Sequence, residues 1–476
     1  MFKFISVGLI TLLSLGVNAQ NLISSEFLGE ETKAQLEVRF GLDLRNGVQK
    51  YKITYMTTGV NGEPDTASGL IIVPTTRLNN QLAVVAYQHG TTNGPEDVPS
   101  REMSGSDEAL AYGAMGYHVC AADYLGLGDN EGFHPYIHAG TEASAGLDMI
   151  IAMSEFVEDE TGEVVFDHLF VSGYSQGGHA AMALMRSLEE DWSETYPMTA
   201  ATPMSGPYSI SEVMFEQMIG DEPYFFVSYP IYGILGLQEV HGDLYDSIEQ
   251  LFKPAYISAI DAFYNHQVTL AELTTFVFAQ LIAENGVPLT RYLFIDSTLL
   301  EIETNPDHPI RVAMRESDTY DWQTNTPTRL LYCTADDQVP FMNTILADSV
   351  MQERGAADLE IMDMDPDADH GECAQPALLE SIRFFDSFVL SSSTQFTEAE
   401  EVQFAFPNPV SSILNVQLPV EPGSFRYSLV NITGQIMCSW QAGEQSVLDV
   451  SQYASGMYIL HAESGNFSAI QKIVID

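Results

Sequence analysis

Gly173-Tyr174-Ser175-Gln176-Gly177 is the stretch on which the reading of this chain turns. It lies between an apolar run, His168 to Ser172, that reads as a strand and a run from Gly178 to Glu189 with helical spacing. Glycine two residues to either side of a serine suits a sharp strand-to-helix turn that lifts the hydroxyl above a sheet. With no side chains at Gly173 and Gly177, strand and helix can approach closely. Ser175 is therefore the candidate nucleophile. Its hydroxyl needs a base to take the proton and a third group to orient that base.

Both are expected downstream, and the resemblance of this turn to the nucleophile elbow of α/β-hydrolases implies the acid before the base. The apolar strand Leu330-Leu331-Tyr332-Cys333 runs into Thr334-Ala335-Asp336-Asp337-Gln338-Val339-Pro340. An acid just past a late strand suits the orienting role, and the spacing to Val339-Pro340 favours Asp336 over Asp337. His370 is the only histidine between Asp336 and the C-terminal β-pattern, and it precedes a helix-like run, Pro376 to Val389. It is the expected base. The aspartates from Asp363 to Asp369 alternate as in a calcium loop, but Ala368 stands where glycine is needed and Ala374 where a bidentate Glu belongs. A developing alkoxide needs two backbone donors. Gln176 supplies one; Thr91, with Gly90 as the alternative, supplies the other from the loop Gln88-His89-Gly90-Thr91-Thr92. His89 reads as a residue that fixes this loop, and His179 as a packing residue behind Ser175. His134 and His138 have a metal-like spacing, but Pro135 disfavours a regular helix there and no clustered acid or cysteine completes a site. No metal or organic cofactor is expected.

Around these residues the chain alternates strand and helix. Residues 49–58 and 65–74 read as antiparallel strands; Leu82 to Tyr87, His118 to Ala122 and Thr199 to Met204 read as short buried strands, with a helix over Ala139 to Val157. This rhythm predicts an α/β fold with a mostly parallel sheet covered on both faces. It breaks from about Tyr208 to Gln323, where aromatic-rich, helix-like runs predict a helical cap inserted between two late strands. Ser391-Ser392-Ser393-Thr394 reads as a linker over 391–400, and 401–476 as a small β-sandwich of about seven strands.

With 18 basic against 66 acidic residues, the net charge is −48. That excludes a basic face for nucleic acid or anionic membranes. Residues 1–19 read as a signal peptide, with Lys3, an apolar stretch from Ile5 to Val17, and Ala19 before the cut; no other stretch is long enough to span a membrane. The four cysteines, Cys120, Cys333, Cys373 and Cys438, allow three complete pairings. Cys120 and Cys333 fall in buried strands and are expected to be free thiols, with no essential disulfide.

Three separated motifs resemble the secretory lipase family of α/β-hydrolases. They are Tyr87-Gln88-His89-Gly90-Thr91, Ala122-Asp123-Tyr124-Leu125-Gly126-Leu127-Gly128 with His134-Pro135-Tyr136, and Gly173-Tyr174-Ser175-Gln176-Gly177-Gly178-His179-Ala180. The resemblance covers roughly residues 30–390. It implies an α/β-hydrolase domain over 20–390, a cap at about 208–323, a Ser-Asp-His triad, and hydrolysis of carboxylic esters including acylglycerols. Phe406-Pro407-Asn408-Pro409, Leu448-Asp449-Val450-Ser451, Gly456-Met457-Tyr458-Ile459-Leu460 and Lys472-Ile473-Val474-Ile475 resemble a type IX secretion C-terminal sorting domain. That implies export through the periplasm of a Gram-negative cell, and the type IX machinery as a partner beside the ester or lipid substrate. A serine peptidase of the same fold and an inactive surface-binding protein are the alternatives.

Overall fold

The computed structural model describes residues 21–163, 165–390, 405–417, 425–431, 436–442, 445–464 and 467–475. The expected signal peptide and the linker at 391–400 lie outside them. Contacts divide the chain into two units, Met1–Ser393 and Thr394–Asp476.

Nine strands form the sheet of the first unit: β1 (Leu22–Glu31), β2 (Val48–Thr58), β3 (Pro64–Pro74), β4 (Ala83–Gln88), β5 (His118–Ala122), β6 (His168–Tyr174), β7 (Ala200–Met204), β8 (Thr328–Tyr332) and β9 (Leu359–Asp363). Their order is β1-β2-β3-β5-β4-β6-β7-β8-β9. The first three strands are antiparallel, β3 is antiparallel to β5, and every later pairing is parallel. All six residues of β4 are buried. That is why the central strands read as continuous apolar runs, whereas the outer strand β2 alternates.

Successive residues of β4 enter two different cores, as the period of a strand requires. Val84 and Ala86 pack with Met149, Ile150, Ala180 and Leu184. These come from α3 (Ala139–Thr161) and α4 (Gln176–Asp191), and α11 (Met342–Arg354) adds Ala347 and Met351 to the same face. Ala83, Val85 and Tyr87 pack on the other face with Leu36, Leu110 and Phe385. Those lie on α1 (Lys33–Phe40), α2 (Ser106–Ala114) and α12 (His370–Val389).

Between β7 and β8 the chain leaves the sheet for α5 (Phe215–Ile219), α6 (Tyr229–His241), α7 (Pro254–Tyr264), α8 (Leu270–Asn285), α9 (Asp296–Thr304) and α10 (Pro309–Glu316). This insertion buries its own core around Ile231, Ile234, Phe252, Tyr256, Val277 and Phe294. α8 shows why its ends are sharp. Thr269 and Glu272 form a capping box at its start, and Gly286 closes it at φ 75°. No helix among the described residues is long and apolar enough to cross a membrane.

One expectation about the cysteines is overturned. Cys333 is not a free thiol: it is bonded to Cys373, with Cα atoms 6.0 Å apart. The sheet brings the end of β8 against the first turn of α12 across 40 residues of sequence. A strand pattern shows burial but not the partner. Cys120 is a buried free thiol, its pKa pushed up to about 12 by burial.

The second unit has a three-stranded sheet of β10 (Ala405–Phe406), β11 (Ile413–Gln417) and β14 (Gln445–Asp449), in the order β10-β11-β14. A four-stranded sheet follows the order β13-β12-β15-β16, from β12 (Phe425–Asn431), β13 (Ile436–Ala442), β15 (Gly456–Ser464) and β16 (Phe467–Ile475). All pairings are antiparallel. Leu414 and Val416 of one sheet share a core with Tyr427, Leu429, Leu460 and Ile473 of the other.

Replacing both Cys333 and Cys373 by Ala releases the cross-link from the unfolded chain. The expected loss is about 2–4 kcal/mol, read as a lower urea midpoint of unfolding with an m-value above the parent's, because the freed unfolded chain exposes more surface.

Candidate active site

β6 ends at Tyr174 and α4 begins at Gln176, so Ser175 alone makes the turn. Its φ of 62° and ψ of −125° lie in a sparsely populated region that the surroundings must enforce. They do so with backbone. Ser175 N–H donates to Met204 O at 3.0 Å, and Gly178 N–H to Ser175 O at 2.8 Å. A Cβ at Gly173 would collide with the Gly177 carbonyl, and one at Gly177 with the Gln88 carbonyl. The Gln176 N–H opens α4, where a helix leaves its first donors unpaired and carries partial positive charge.

The loop after β4 passes beside this turn. A Cβ built on Gly90 would lie 3.6 Å from Ser175 Cβ. Thr91 Oγ1 is 2.8 Å from the Tyr136 hydroxyl. His89 stacks on Tyr124 at 4.2 Å, its Nδ1 2.8 Å from Gly90 O and its Nε2 3.2 Å from Asp123 O. The Asp123 carboxylate is fully buried, taking Ser68 Oγ–H at 2.6 Å and Ser100 N–H at 3.0 Å, and burial raises its pKa. These residues hold the loop and the end of β5 in place.

Asp336 and His370 meet directly. His370 Nδ1 donates to Asp336 Oδ2 at 2.7 Å, while Asp336 Oδ1 accepts the N–H groups of Gln338 at 2.9 Å and Val339 at 2.8 Å. The Asp336 side chain is 1% exposed, so both oxygens are satisfied out of water. The neighbouring Asp337 is exposed and touches only the His370 backbone N–H, at 3.3 Å. Cys333 precedes Asp336 by three residues and Cys373 follows His370 by three, so the disulfide clamps the two segments that carry this pair. Ser175 joins the pair through its neighbour: the Tyr174 hydroxyl donates to His370 O at 2.6 Å, with rings 4.9 Å apart. No hydrogen bond links the Ser175 hydroxyl to the imidazole; such contacts often tighten only when substrate binds.

Ser175 and Gln176 also line a cavity whose other walls come mostly from the insertion: Ile210, Met214, Met218, Ile234 and Leu237. The lining is mainly apolar.

Behind α4 lies a polar network with one member, Glu142, that the sequence reading did not single out. Gln176 Nε2 donates to both His134 Nε2 and Glu142 Oε1, each at 2.8 Å. His134 Nδ1 donates to Leu125 O at 2.8 Å. Glu142 Oε2 accepts from His179 Nδ1 at 2.6 Å, and His179 Nε2 donates to Ser317 O at 2.7 Å. Burial alone would push the His179 pKa down, but the Glu142 carboxylate, with the Ser317 carbonyl and Asp318, outweighs it and holds the pKa above the ordinary value. Burial drives the His134 pKa down to about 3. The signal for Glu142 was available in principle. It sits on the face of α3 shared by Met149, Ile150 and Met153, a lone carboxylate on a buried stripe. His138, paired with His134 by spacing, instead caps α3, its Nδ1 taking Thr141 N–H at 3.1 Å.

Residues 405–476 match the model of the secretion system C-terminal sorting domain. No curated protein sequence matches the chain significantly. Among solved structures, the rice cell wall degrading esterase LipA from Xanthomonas oryzae superposes with a TM-score of 0.66 at 25% identity, over 79% of this chain and 99% of its own. A protein from Legionella pneumophila superposes with a TM-score of 0.69 at 27% identity, over 77% and 98%. Candida antarctica lipase A shares the fold, at 0.59 and 16% identity, over 79% and 84%.

The hydrogen bond from Gln176 requires His134 to stay neutral with its proton on Nδ1. The unfolded imidazole gains a proton near pH 6.5 and the folded one only near 3. This contribution to stability is therefore complete above pH 6.5 and falls as pH drops, by about 1.4 kcal/mol per unit. Histidine-labelled protein should show the neutral Nδ1–H tautomer of His134 by NMR down to about pH 4.

Proposed function

We propose that this chain, an α/β-hydrolase with a type IX sorting domain at its C-terminus, is an exported carboxylic ester hydrolase that works through Ser175, His370 and Asp336. The observation that carries the reading is the buried Asp336–His370 hydrogen bond, held one residue from a serine in the nucleophile turn. Similarity to an esterase and a lipase supports esters as the substrate class.

In this mechanism Ser175 Oγ attacks the ester carbonyl carbon while His370 Nε2 takes its proton. Asp336 keeps the other imidazole proton on Nδ1 and stabilises the imidazolium. The carbonyl oxygen becomes an alkoxide facing the N–H of Gln176 and that of Thr91 or Gly90. The tetrahedral intermediate collapses, the C–O bond to the alcohol breaks, and His370 protonates the leaving oxygen. Water then attacks the acyl-Ser175 ester with His370 again as base, releasing the carboxylic acid and restoring the serine.

The apolar cavity beside Ser175 is the proposed acyl slot. Burying a methylene there is worth about 0.8 kcal/mol. Medium or long acyl esters, acylglycerols among them, should then outrun acetates. Export rests on the sorting tail, which passes the chain to the type IX machinery and leads to release or surface attachment.

Ser175→Ala and His370→Ala should each lower kcat by about 10⁴-fold or more with folding intact. Asp336→Asn should be similarly severe and Asp337→Asn mild. A p-nitrophenyl ester series from acetate upward, with a peptide anilide beside it, checks the class. Rates should climb with acyl length by up to about fourfold per methylene until the slot is full, and the anilide should remain uncut. Turnover by Ser175→Ala near the parent rate would end the reading.

A chain ending at Leu390 should keep its folding and activity, because the first unit carries both cores of its own sheet. In the native host it should be retained in the cell envelope, as cell fractionation and an activity assay of the medium will show.

A further inference from the structure

Directly behind the nucleophile turn sits a charge pair that the ester-cleaving steps do not use. Glu142 and His179 are 1% and 0% exposed, on two helices that pack together under the sheet. Removing two charges from water costs much of what their attraction returns, unless every remaining donor and acceptor is filled. Here each is filled: Glu142 Oε1 by Gln176, Oε2 by His179, and the far nitrogen of His179 by the Ser317 carbonyl.

The residue this pair grips is Gln176. Both acceptors around its amide have fixed character. The Glu142 carboxylate can only accept. His134 Nε2 can only accept, because Nδ1 carries the proton given to Leu125 O. The NH₂ group must therefore face both, at 2.8 Å each, and Gln176 Oε1 is left buried without a partner. Leaving a buried acceptor unpaired is unfavourable. It persists because the two donations hold the amide in one orientation. The first residue of a helix is otherwise the place where it frays. With its side chain held at both hydrogens, Gln176 cannot turn its backbone N–H away from the space above Ser175.

We infer that Glu142 is a positioning residue: held in place by His179, it anchors the Gln176 amide and so aims the Gln176 N–H at the developing alkoxide. This rests on the reading of that N–H as an oxyanion donor. An oxyanion donor acts through preorganisation, so a small loss of aim lowers the rate without weakening ground-state binding.

The test uses the full chain with Glu142→Met, which removes the acceptor at nearly constant side-chain length, Gln176→Met and the double variant, each measured for kcat, KM and urea midpoint on one p-nitrophenyl ester. Gln176→Met keeps the backbone N–H and the side-chain length but removes both donors. Each single change should lower kcat by about 10- to 100-fold with KM within about threefold. The double variant should be no slower than the slower single, because both break one tether. Multiplying effects, or kcat losses that only track the folded fraction, would overturn the inference. If Glu142→Met does not fold, Gln176→Met decides alone, and parental kcat there overturns it. Ser175→Ala run alongside separates the two readings. A dead Ser175→Ala with a fully active Gln176→Met removes only the positioning role, whereas an active Ser175→Ala removes the ester-hydrolase mechanism itself.

Discussion

Backbone meets backbone at the turn after β6, and no side chain can come between. A Cβ at Gly173 or Gly177 would run into a carbonyl of the neighbouring segment, and one at Gly178 would stand 2.5 Å from Met204 O. Three strands and the start of α4 converge there too closely for a Cβ to fit between them. This constraint sets Ser175 in its strained conformation and places Gln176 at the head of a helix. It also brings Gly90 beside the serine. The loop that carries Asp336 and the start of α12, which carries His370, are built around this turn.

Charge state around this point is decided by partners rather than by residue type. His134 and His179 are both buried within the same network. One faces an amide hydrogen and a carbonyl, and its pKa falls to about 3; the other faces a carboxylate, and its pKa rises. The buried carboxylates follow the same logic. Asp123, Glu142 and Asp336 each receive donors on both oxygens. At Asp123, Glu142 and Asp336 the interior carries acids where donors have been assembled for them.

How much of this was legible depends on whether the signal is local. The glycine-flanked serine turn, the buried strands β4 to β7 and the late strand running into Asp336 are local patterns, and each could be read directly. The placement of Asp336 ahead of His370 followed from chain order. β1 was missed because most of its residues are exposed and its serines and glutamates show no alternation. α1 and α2 are short, eight and nine residues, and lack a long periodic stripe. The Cys333–Cys373 bond and the Glu142 anchor depend on which distant segments meet, information that no window of sequence contains.

From β6 onward the strands join the sheet in the order they are made, ending with β8 and β9 at its edge. A ribosome that has delivered the chain as far as α10 has already made the serine turn and the whole helical insertion. It has made neither the acid nor the base. Those arrive late, on adjoining segments, and the sulfur bridge that clamps them also needs both. A growing chain therefore carries the serine for a long stretch of synthesis with nothing to activate it. Hydrolytic competence, on the mechanism proposed, appears in a single step near the end of the domain, after most of the residues that line the cavity have been made.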